Sequence, residues 1–458
     1  MWALGFINRW CLLLGMPLLR RIPIVRDLPL VRGYFRIRTI DLPHADRQRL
    51  AMAVNPGTVA FIGPNHPEFG LDWMIDKELS TYVAPRVANW ASHGIVATAP
   101  WFWLRNNLIS HNGGTAATDF SVSWALRGEA VLLHPEGSVH WTGDMIHPLF
   151  TGIADMGTEA ARRLAAGDPR SVFIVPIVWK FRFVGDVTQA LHREMHFIEQ
   201  HLGLGAGRHV NVAERFRALQ EGILRKQMRR FDFDTRSVRG LDHFARQDAF
   251  RDWLMRQLLS RHAVAAGDSA ERTITRLQRA IGSALRQCER TPSGDTAGRR
   301  ALLELDRDRA EEANRLGGFC REVYATPTLT QEQMAECLKR HRATLVKRGV
   351  RNTIHNFLPT PFGPRIADVR VPAPVQVDPA RAASADREEQ RAYVIELIAT
   401  ARERMQQALD DINNEARTET DQYAHVNPFA VRIARRPATL TNLAAATIAP
   451  LERQMMHT

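Results

Sequence analysis

Three short apolar runs constrain the fold more than any other feature of this sequence. They read TVAFI at 58–62, AVLL at 130–133 and VFIVPIV at 172–178, with Gly and Pro at their margins. Apolar runs of this length predict strands that are buried on both faces, and helix-like stretches lie between them. The sequence therefore predicts an α/β fold in which a mixed sheet is flanked by helices.

The character of the chain changes after about residue 190, where long, charged segments with helical spacing begin. Strand character returns over 365–377 and is followed by a helical pattern over 386–412. This order predicts an α/β domain that resumes after a large helical insertion. The predicted units are an N-terminal segment (1–40), the α/β core (41–195), the helical insertion (196–360), a returning strand and helix of the core (361–415) and a C-terminal tail (416–458).

The N-terminal segment mixes Trp, Phe, Leu and Ile with repeated arginines. Its longest uncharged run, Trp10 to Leu19, is about half of the roughly 20 residues that a spanning helix needs. No small-residue cleavage site follows the run, which argues against a signal peptide. We expect an interfacial anchor at the cytoplasmic face of the membrane, peripheral or monotopic, with a buried first helix as the alternative.

The charge balance is basic, with 61 Lys and Arg against 49 acidic residues and a formal charge of +12. Such a surface suits polyanions, which include anionic lipid headgroups and phosphorylated or CoA-like substrates. The sequence has no zinc-finger spacing, aromatic RNA-binding pattern or long Lys/Arg block, so we expect no nucleic-acid partner. The four cysteines form no CxxC pair, which indicates reduced thiols and no structural zinc.

A histidine and an aspartate stand close together after the first apolar run, in NHPEFGLD at 65–72. A histidine acts as a general base when a carboxylate accepts its Nδ1–H and leaves Nε2 to take a proton. Asp72 is the nearest carboxylate able to serve His66 after a turn, whereas Glu68 would need a sharply folded loop. Taken alone, a histidine in a loop near an aspartate is more often a structural hydrogen-bonding group than a catalytic one.

The second apolar run ends in a turn, VLLHPEGS at 131–138. Gly137 permits a tight turn with close backbone approach, and Glu136 is placed to bond a substrate hydroxyl or to orient a basic group. Three nearby histidines, His134, His140 and His147, together with Asp144 also suggest a metal site. Their spacing lacks the i, i+4 helical pairing of metal ligands and the stretch reads as loop, so we expect no metal.

The order of these blocks resembles the glycerolipid acyltransferase family typified by bacterial 1-acylglycerol-3-phosphate acyltransferases. The matching text is NHPEFGLD, then LRNNLIS, LLHPEGS, HPLFTGIADMGTEAA and VFIVPIVWKF, within about residues 55–185. The unit at 365–412 resembles the closing strand and helix of that family. The chain departs from the family pattern in having five residues between His66 and Asp72 instead of four, and in carrying His134 and Val139 where the family has Phe and Arg.

The resemblance implies a glycerolipid acyltransferase-like fold and a role for each matching residue. His66 would be the general base and Asp72 the carboxylate that orients it. The implied substrate-binding residues are Arg105 for the acceptor phosphate, Glu136, Gly137 and Ser138 in the acceptor turn, and Pro176 in the acyl-donor block.

The implied reaction moves a fatty acyl group from acyl-CoA or acyl carrier protein to a hydroxyl of a lysophospholipid-like acceptor, with no bound cofactor, as in phospholipid biosynthesis. The partners would be the acyl thioester, the lysophospholipid and an anionic membrane surface. Two alternatives remain. One is an acyltransferase with a non-phosphate lipid acceptor, because Val139 removes a phosphate ligand. The other is a non-catalytic lipid-binding or scaffold protein in which the altered spacing separates His66 from Asp72.

Overall fold

The structure is a computed structural model that describes residues 37–68, 71–98, 100–105, 107–111, 114–164, 167–205, 211–267, 269–290, 296–346 and 362–430. Residues 1–36 of the predicted interfacial anchor therefore lie outside the described residues. Its last residues, 37–40, belong to the first strand of the sheet.

The strands are β1 (Ile37–Asp41), β2 (Thr58–Pro64), β3 (Val87–Ser92), β4 (Leu108–His111), β5 (Ala130–Leu132), β6 (Ser171–Phe183), β7 (Thr328–Leu329), β8 (Arg365–Arg370), β9 (Val375–Val377) and β10 (His425–Val426). The core helices are α1 (His44–Ala53), α2 (Leu71–Leu79), α3 (His93–Thr98), α4 (Pro100–Arg105), α5 (Ala116–Leu126) and α6 (Gly152–Arg163).

Between β6 and β8 the described chain is mostly helical: α7 (Thr188–His201), α8 (Val212–Arg230), α9 (His243–His262), α10 (Ala270–Arg290), α11 (Thr296–Gly317), α12 (Arg321–Tyr324) and α13 (Gln331–Leu345). The helices after β9 are α14 (Pro379–Ala382), α15 (Arg387–Glu415) and α16 (Arg417–Asp421). None of these described helices combines the length and apolarity needed to cross a membrane.

The main sheet is mixed and mostly parallel, with strand order β1-β8-β6-β2-β5-β3-β4, and β9 pairs with β6. The returning strands β8 and β9 run antiparallel to β6, whereas β2 pairs in parallel with both β5 and β6. The predicted α/β fold with a mixed sheet and flanking helices is confirmed. The two-residue strands β7 and β10 form a separate ladder that joins the tail to the helical region.

The central strand β2 is buried on both faces because its alternate side chains enter two different cores. Val59 and Phe61 pack with residues of α5, α6 and α15, while Ala60 and Ile62 pack with residues of α1 and α2. Near-continuous apolar character is what a strand covered on both sides requires. The strands β1, β3 and β4 were not predicted because their sequences are short and mixed in polarity. They are strands because they pair with neighbouring strands.

A buried ion cluster joins the helical region to the core. Glu68, in the loop after β2, accepts from Lys339 Nζ of α13 at 2.7 Å and from two guanidinium nitrogens of Arg365, at the start of β8, at 2.6 and 3.0 Å. All three side chains are at most 4% exposed. Burial raises the pKa of Glu68, but the charges of Arg365 and Lys339 outweigh that effect and lower it to about 2.

We expect Glu68→Gln to destabilise the protein by about 3–5 kcal/mol, because Lys339 and Arg365 would remain buried without their carboxylate. Because the pKa of Glu68 is depressed from 4.5 to about 2, its stabilisation should be present above pH 4.5 and be lost as the pH falls toward 2. Urea unfolding at several pH values measures both effects. Glu396→Gln, which breaks an exposed pair with Arg381, is the matched control and should change stability little. Equal losses in the two variants would contradict the assignment.

Candidate active site

The candidate site lies where the carboxyl ends of neighbouring strands meet. β2 ends at Pro64 and leads into Asn65 and His66, while the adjacent β5 leads into His134. The Asn65 side chain continues the ladder past the end of β2, because it donates to Trp179 O at 2.9 Å and accepts from Trp179 N at 3.0 Å. The chain leading into His66 is therefore held against β6, at the edge of an α/β sheet where ligands commonly bind.

His66 and Asp72 are in direct contact. The distance from His66 Nδ1 to Asp72 Oδ2 is 2.7 Å, and Asp72 lies in the first turn of α2. Asp72 also accepts from Glu68 N at 3.1 Å and from Trp179 Nε1 at 2.9 Å. Because a carboxylate satisfies all three contacts as an acceptor, the imidazole proton belongs on Nδ1 and the lone pair on Nε2. The extra residue between His66 and Asp72 does not separate them.

The environment keeps His66 uncharged. Burial lowers its pKa well below the ordinary value, and the neighbouring His134 lowers it further. Burial raises the pKa of the Asp72 carboxyl, while the His134 charge and the Trp179 N–H oppose that rise. His66 is 18% exposed, and among the described residues its Nε2 has no hydrogen-bond partner. A neutral imidazole with an available Nε2 is the form a general base requires.

A second histidine–aspartate pair lies beside the first. His134 Nδ1 is 2.8 Å from Asn65 O and its Nε2 is 3.2 Å from Asp76 Oδ2. A carbonyl and a carboxylate oxygen can only accept, so both ring nitrogens of His134 donate, which makes the ring an imidazolium. Burial would lower its pKa, but Asp76 and Asp72 raise it to about 9. Asp76 follows Asp72 by one helical turn, so α2 supplies both carboxylates.

The two imidazole rings are stacked. The His66 and His134 ring centroids are 4.0 Å apart with an interplanar angle of 17°. A fixed positive charge therefore lies against the face of the candidate base and disfavours a second charge there.

Glu136 occupies a different position from the one implied for a substrate ligand. It is 4% exposed, and its two oxygens accept from His66 N at 2.6 Å and His147 N at 2.9 Å. The carboxyl group thus connects the His66 loop to the segment that follows β5. Burial raises its pKa to about 7, opposed by these two N–H donors. The structure makes Glu136 a positioning group for the His66 backbone.

The turn after Glu136 is exposed. Gly137 has φ +73°, and a Cβ there would lie 2.7 Å from the Phe150 ring, so a larger residue would be strained on both counts. Ser138 is exposed, with Oγ 3.4 Å from His140 Nε2. Both residues therefore face space that a substrate can reach, close to His66.

Two further implied substrate ligands are placed less directly. Arg105 ends α4, and its side chain lies outside what the structure describes. Pro176 is buried within β6, opposite Gly63 of β2 in parallel register. Its missing N–H and its burial fit a role in shaping the sheet beneath the site.

The structure distributes the residues of the alternative metal site among other contacts. Asp144 pairs with Lys180 and accepts from Gln333 Nε2 at 3.0 Å, while His140 and His147 stack at 3.7 Å. Within the described ranges, no group of three or more His, Cys, Asp or Glu side chains is arranged to hold a metal ion.

An apolar surface lies next to the site. On α4, Trp101 is 68% and Leu104 is 55% exposed. Trp103 of the same helix meets the Trp73 ring edge-on, with ring centroids 6.0 Å apart, and Trp73 belongs to α2, the helix that carries Asp72. Exposed large apolar side chains beside a site indicate contact with an apolar partner or ligand.

Several residues of the site were not predicted from the sequence. Asp76 carried a usable signal, because it lies one helical turn after Asp72 in a segment predicted as helix. Asn65 and Trp179 carried none, because an amide that continues a ladder and an indole that reaches a carboxylate become evident only once β2 and β6 are paired. Lys339 and Arg365 likewise arrive from distant segments.

Comparison of the chain with protein-family models, with curated proteins and with solved structures gives no match.

We expect His134 to be charged and His66 neutral at pH 7.5. In ¹⁵N-labelled protein, both ring nitrogens of His134 should show protonated shifts until the pH approaches about 9, and Asp76→Asn should lower that midpoint. Because the folded pKa of His134 is raised from 6.5, the stability it contributes should be present below pH 6.5 and be lost as the pH rises through about 9. The exposed Asp234→Asn variant is the control and should leave the His134 signals unchanged. A neutral His134 at pH 7 would contradict the assignment.

Proposed function

We propose that this protein is an acyltransferase that moves a fatty acyl group from a thioester, acyl-CoA or acyl carrier protein, to a hydroxyl of a lysophospholipid-like acceptor. The reaction would take place at the cytoplasmic face of a membrane, with the N-terminal segment as interfacial anchor. The order of the sequence blocks suggests the reaction class. The single observation that carries the proposal is the 2.7 Å contact between His66 Nδ1 and Asp72 Oδ2, with Nε2 left available.

The proposed chemistry assigns each proton to an atom. His66 Nε2 takes the proton of the acceptor hydroxyl as its oxygen attacks the thioester carbonyl carbon. The C–S bond then breaks, the thiolate leaves, and His66 Nε2 returns the proton to the sulfur. Asp72 accepts the Nδ1–H throughout and stabilises the imidazolium that forms in the transition state. The step needs neither a metal nor a redox partner to balance.

The charged ring of His134 has two opposing effects on His66 as a base. It keeps His66 deprotonated at neutral pH, but it also opposes the charge that His66 gains during the reaction. Asp72 offsets that cost because it is hydrogen-bonded to Nδ1 at the edge of the same ring. We therefore expect His66 to stay deprotonated, and so to be able to act as the base, at neutral pH and in mildly acidic solution.

The surroundings favour a lipid acceptor. The exposed apolar side chains of α4, a helix that contacts α2 through Trp103 and Trp73, suit a lipid, and the basic charge of the chain complements anionic headgroups. The absence of an arginine at Val139 favours testing acceptors without phosphate as well.

The decisive experiment incubates purified protein with acyl-CoA and a panel of lysophospholipids and monoacylglycerols, and follows thiol release and acylated product. We expect release to depend on an acceptor. We expect His66→Ala to lower kcat/KM by roughly 10³-fold or more, and Asp72→Asn by a comparable factor, because removing the base or its acceptor removes proton transfer.

His44→Ala is the matched control, because His44 begins α1 on the exposed surface and should leave the rate unchanged. Equal thiol release by the wild type and His66→Ala would refute His66 as the base. Binding of lysophospholipid without turnover in the wild type would instead support a non-catalytic lipid-binding protein.

The pH profile tests the His134 charge. In the double variant His134→Phe/Asp76→Asn, which removes the paired charges together, the acid limb of kcat/KM should move to higher pH by about one unit or more. The physical reason is that His66 would protonate more readily without a cation against its ring. An unchanged acid limb with normal folding would show that His134 does not act on the base.

A further inference from the structure

A cleft of about 640 Å³ lies between three helices beside the candidate site. α6 of the core, α10 of the helical region and α15 of the returning unit each contribute to its wall. Phe150, which precedes α6, connects the cleft to the turn at Glu136–Ser138, since its N–H donates to Pro135 O at 2.8 Å and its ring lies against Gly137.

The cleft is strongly positive. Asp155 is the only carboxylate among its described lining residues, whereas six arginines line it: Arg162, Arg272, Arg276, Arg279, Arg387 and Arg391. Arginines from three separate helices that face one concave space create a focused positive potential.

Four of the six arginines have no carboxylate partner within the described chain. Arg162 pairs with Glu159, but within the described chain no carboxylate lies within 4 Å of Arg276, Arg279, Arg387 or Arg391. Arg276 donates to the backbone carbonyl of Ala266 at 3.0 Å, and Arg279 lies 6.0 Å from the centre of the Phe150 ring. Their charges therefore face the cleft without a counterion from the described chain.

A second arginine-lined cleft in the same protein has carboxylate partners for half of its six arginines. It is formed around α8, and three of its arginines are paired: Arg217 with Glu214, Arg236 with Asp234 and Arg246 with Glu221. The first cleft has a larger share of arginines without a carboxylate partner in the described chain, and its Phe150 lies against Gly137.

We propose that the cleft between α6, α10 and α15 binds a small ligand of nucleotide size that carries clustered phosphate groups. The volume falls within the range of small-molecule pockets, about 300–1,000 Å³, and planar guanidinium groups suit phosphate oxygens bidentately. Two sources carry this chemistry. One is the 3′-phosphoadenosine diphosphate end of a CoA thioester, an assignment that rests on the proposed function. The other is a free nucleotide.

The test measures binding of adenosine 3′,5′-bisphosphate, CoA, ATP and inorganic pyrophosphate by calorimetry at 0.15 M salt, with the full chain. We expect Arg276→Gln/Arg279→Gln to raise the Kd of adenosine 3′,5′-bisphosphate by about tenfold or more, because charge-assisted hydrogen bonds are lost. The matched control is Arg225→Gln/Arg229→Gln, which removes two arginines from one helix of the second cleft and should leave the Kd unchanged.

These binding and kinetic measurements distinguish a CoA thioester from a free nucleotide as the ligand. Tight binding of CoA, with a raised KM for acyl-CoA and an unchanged KM for acceptor in the cleft variant, supports the thioester. ATP binding as tight as CoA binding, with donor KM unchanged, supports a free nucleotide. Binding measured on His66→Ala should persist, so failure of the acyl-transfer reaction alone would leave this result intact.

Three results would overturn the proposal. The first is pyrophosphate binding as tight as any nucleotide, which would indicate a general anion surface. The second is an equal loss of affinity in the control variant. The third is a cleft variant that loses binding to phosphatidylglycerol vesicles while its nucleotide affinity is unchanged, which would make the cleft a lipid surface.

Discussion

The site depends on the hydrogen bonds that the buried carboxylate of Asp72 accepts. It is 1% exposed and receives donors from three parts of the chain: the His66 ring, the Glu68 backbone and the Trp179 indole of β6. A buried carboxylate without such donors would cost several kcal/mol, so the loop, the helix and the strand must assemble together. The orientation of the imidazole and the direction of its lone pair follow from that assembly.

Charge in and around the site is arranged in layers. The neutral His66 lies against the charged His134, and each ring meets a carboxylate from the same face of α2. Glu136 and Glu68 then hold the His66 loop through backbone donors and buried cations. Beyond the turn that contains Gly137, the arginines of the adjacent cleft provide a positive surface of a different kind, which is concave. The proposed base and the proposed phosphate site are thus joined through the Pro135–Phe150 contact.

Much of the fold was predictable because its central strands are buried on both faces. The runs at 58–62, 130–133 and 172–178 became β2, β5 and β6, and the return of strand and helix near residue 365 was also evident in the periodicity. The pairing partner of His66 was predictable too, since Asp72 lies nearby in sequence. The roles of His66 and Asp72 in a reaction stay predictions until turnover is measured.

The sequence by itself determined the alternation of apolar strands with amphipathic helices, the order of the chemical blocks and the basic charge, because each is encoded in local text. Only the tertiary structure decided that His134 is charged, that Glu136 accepts a hydrogen bond from the His66 backbone, and that arginines from three helices line one cleft. These properties depend on groups that are distant in sequence and meet only when the sheet is paired and the helical region is docked. Protonation and charge compensation are set by such neighbours, so they cannot be read from spacing alone.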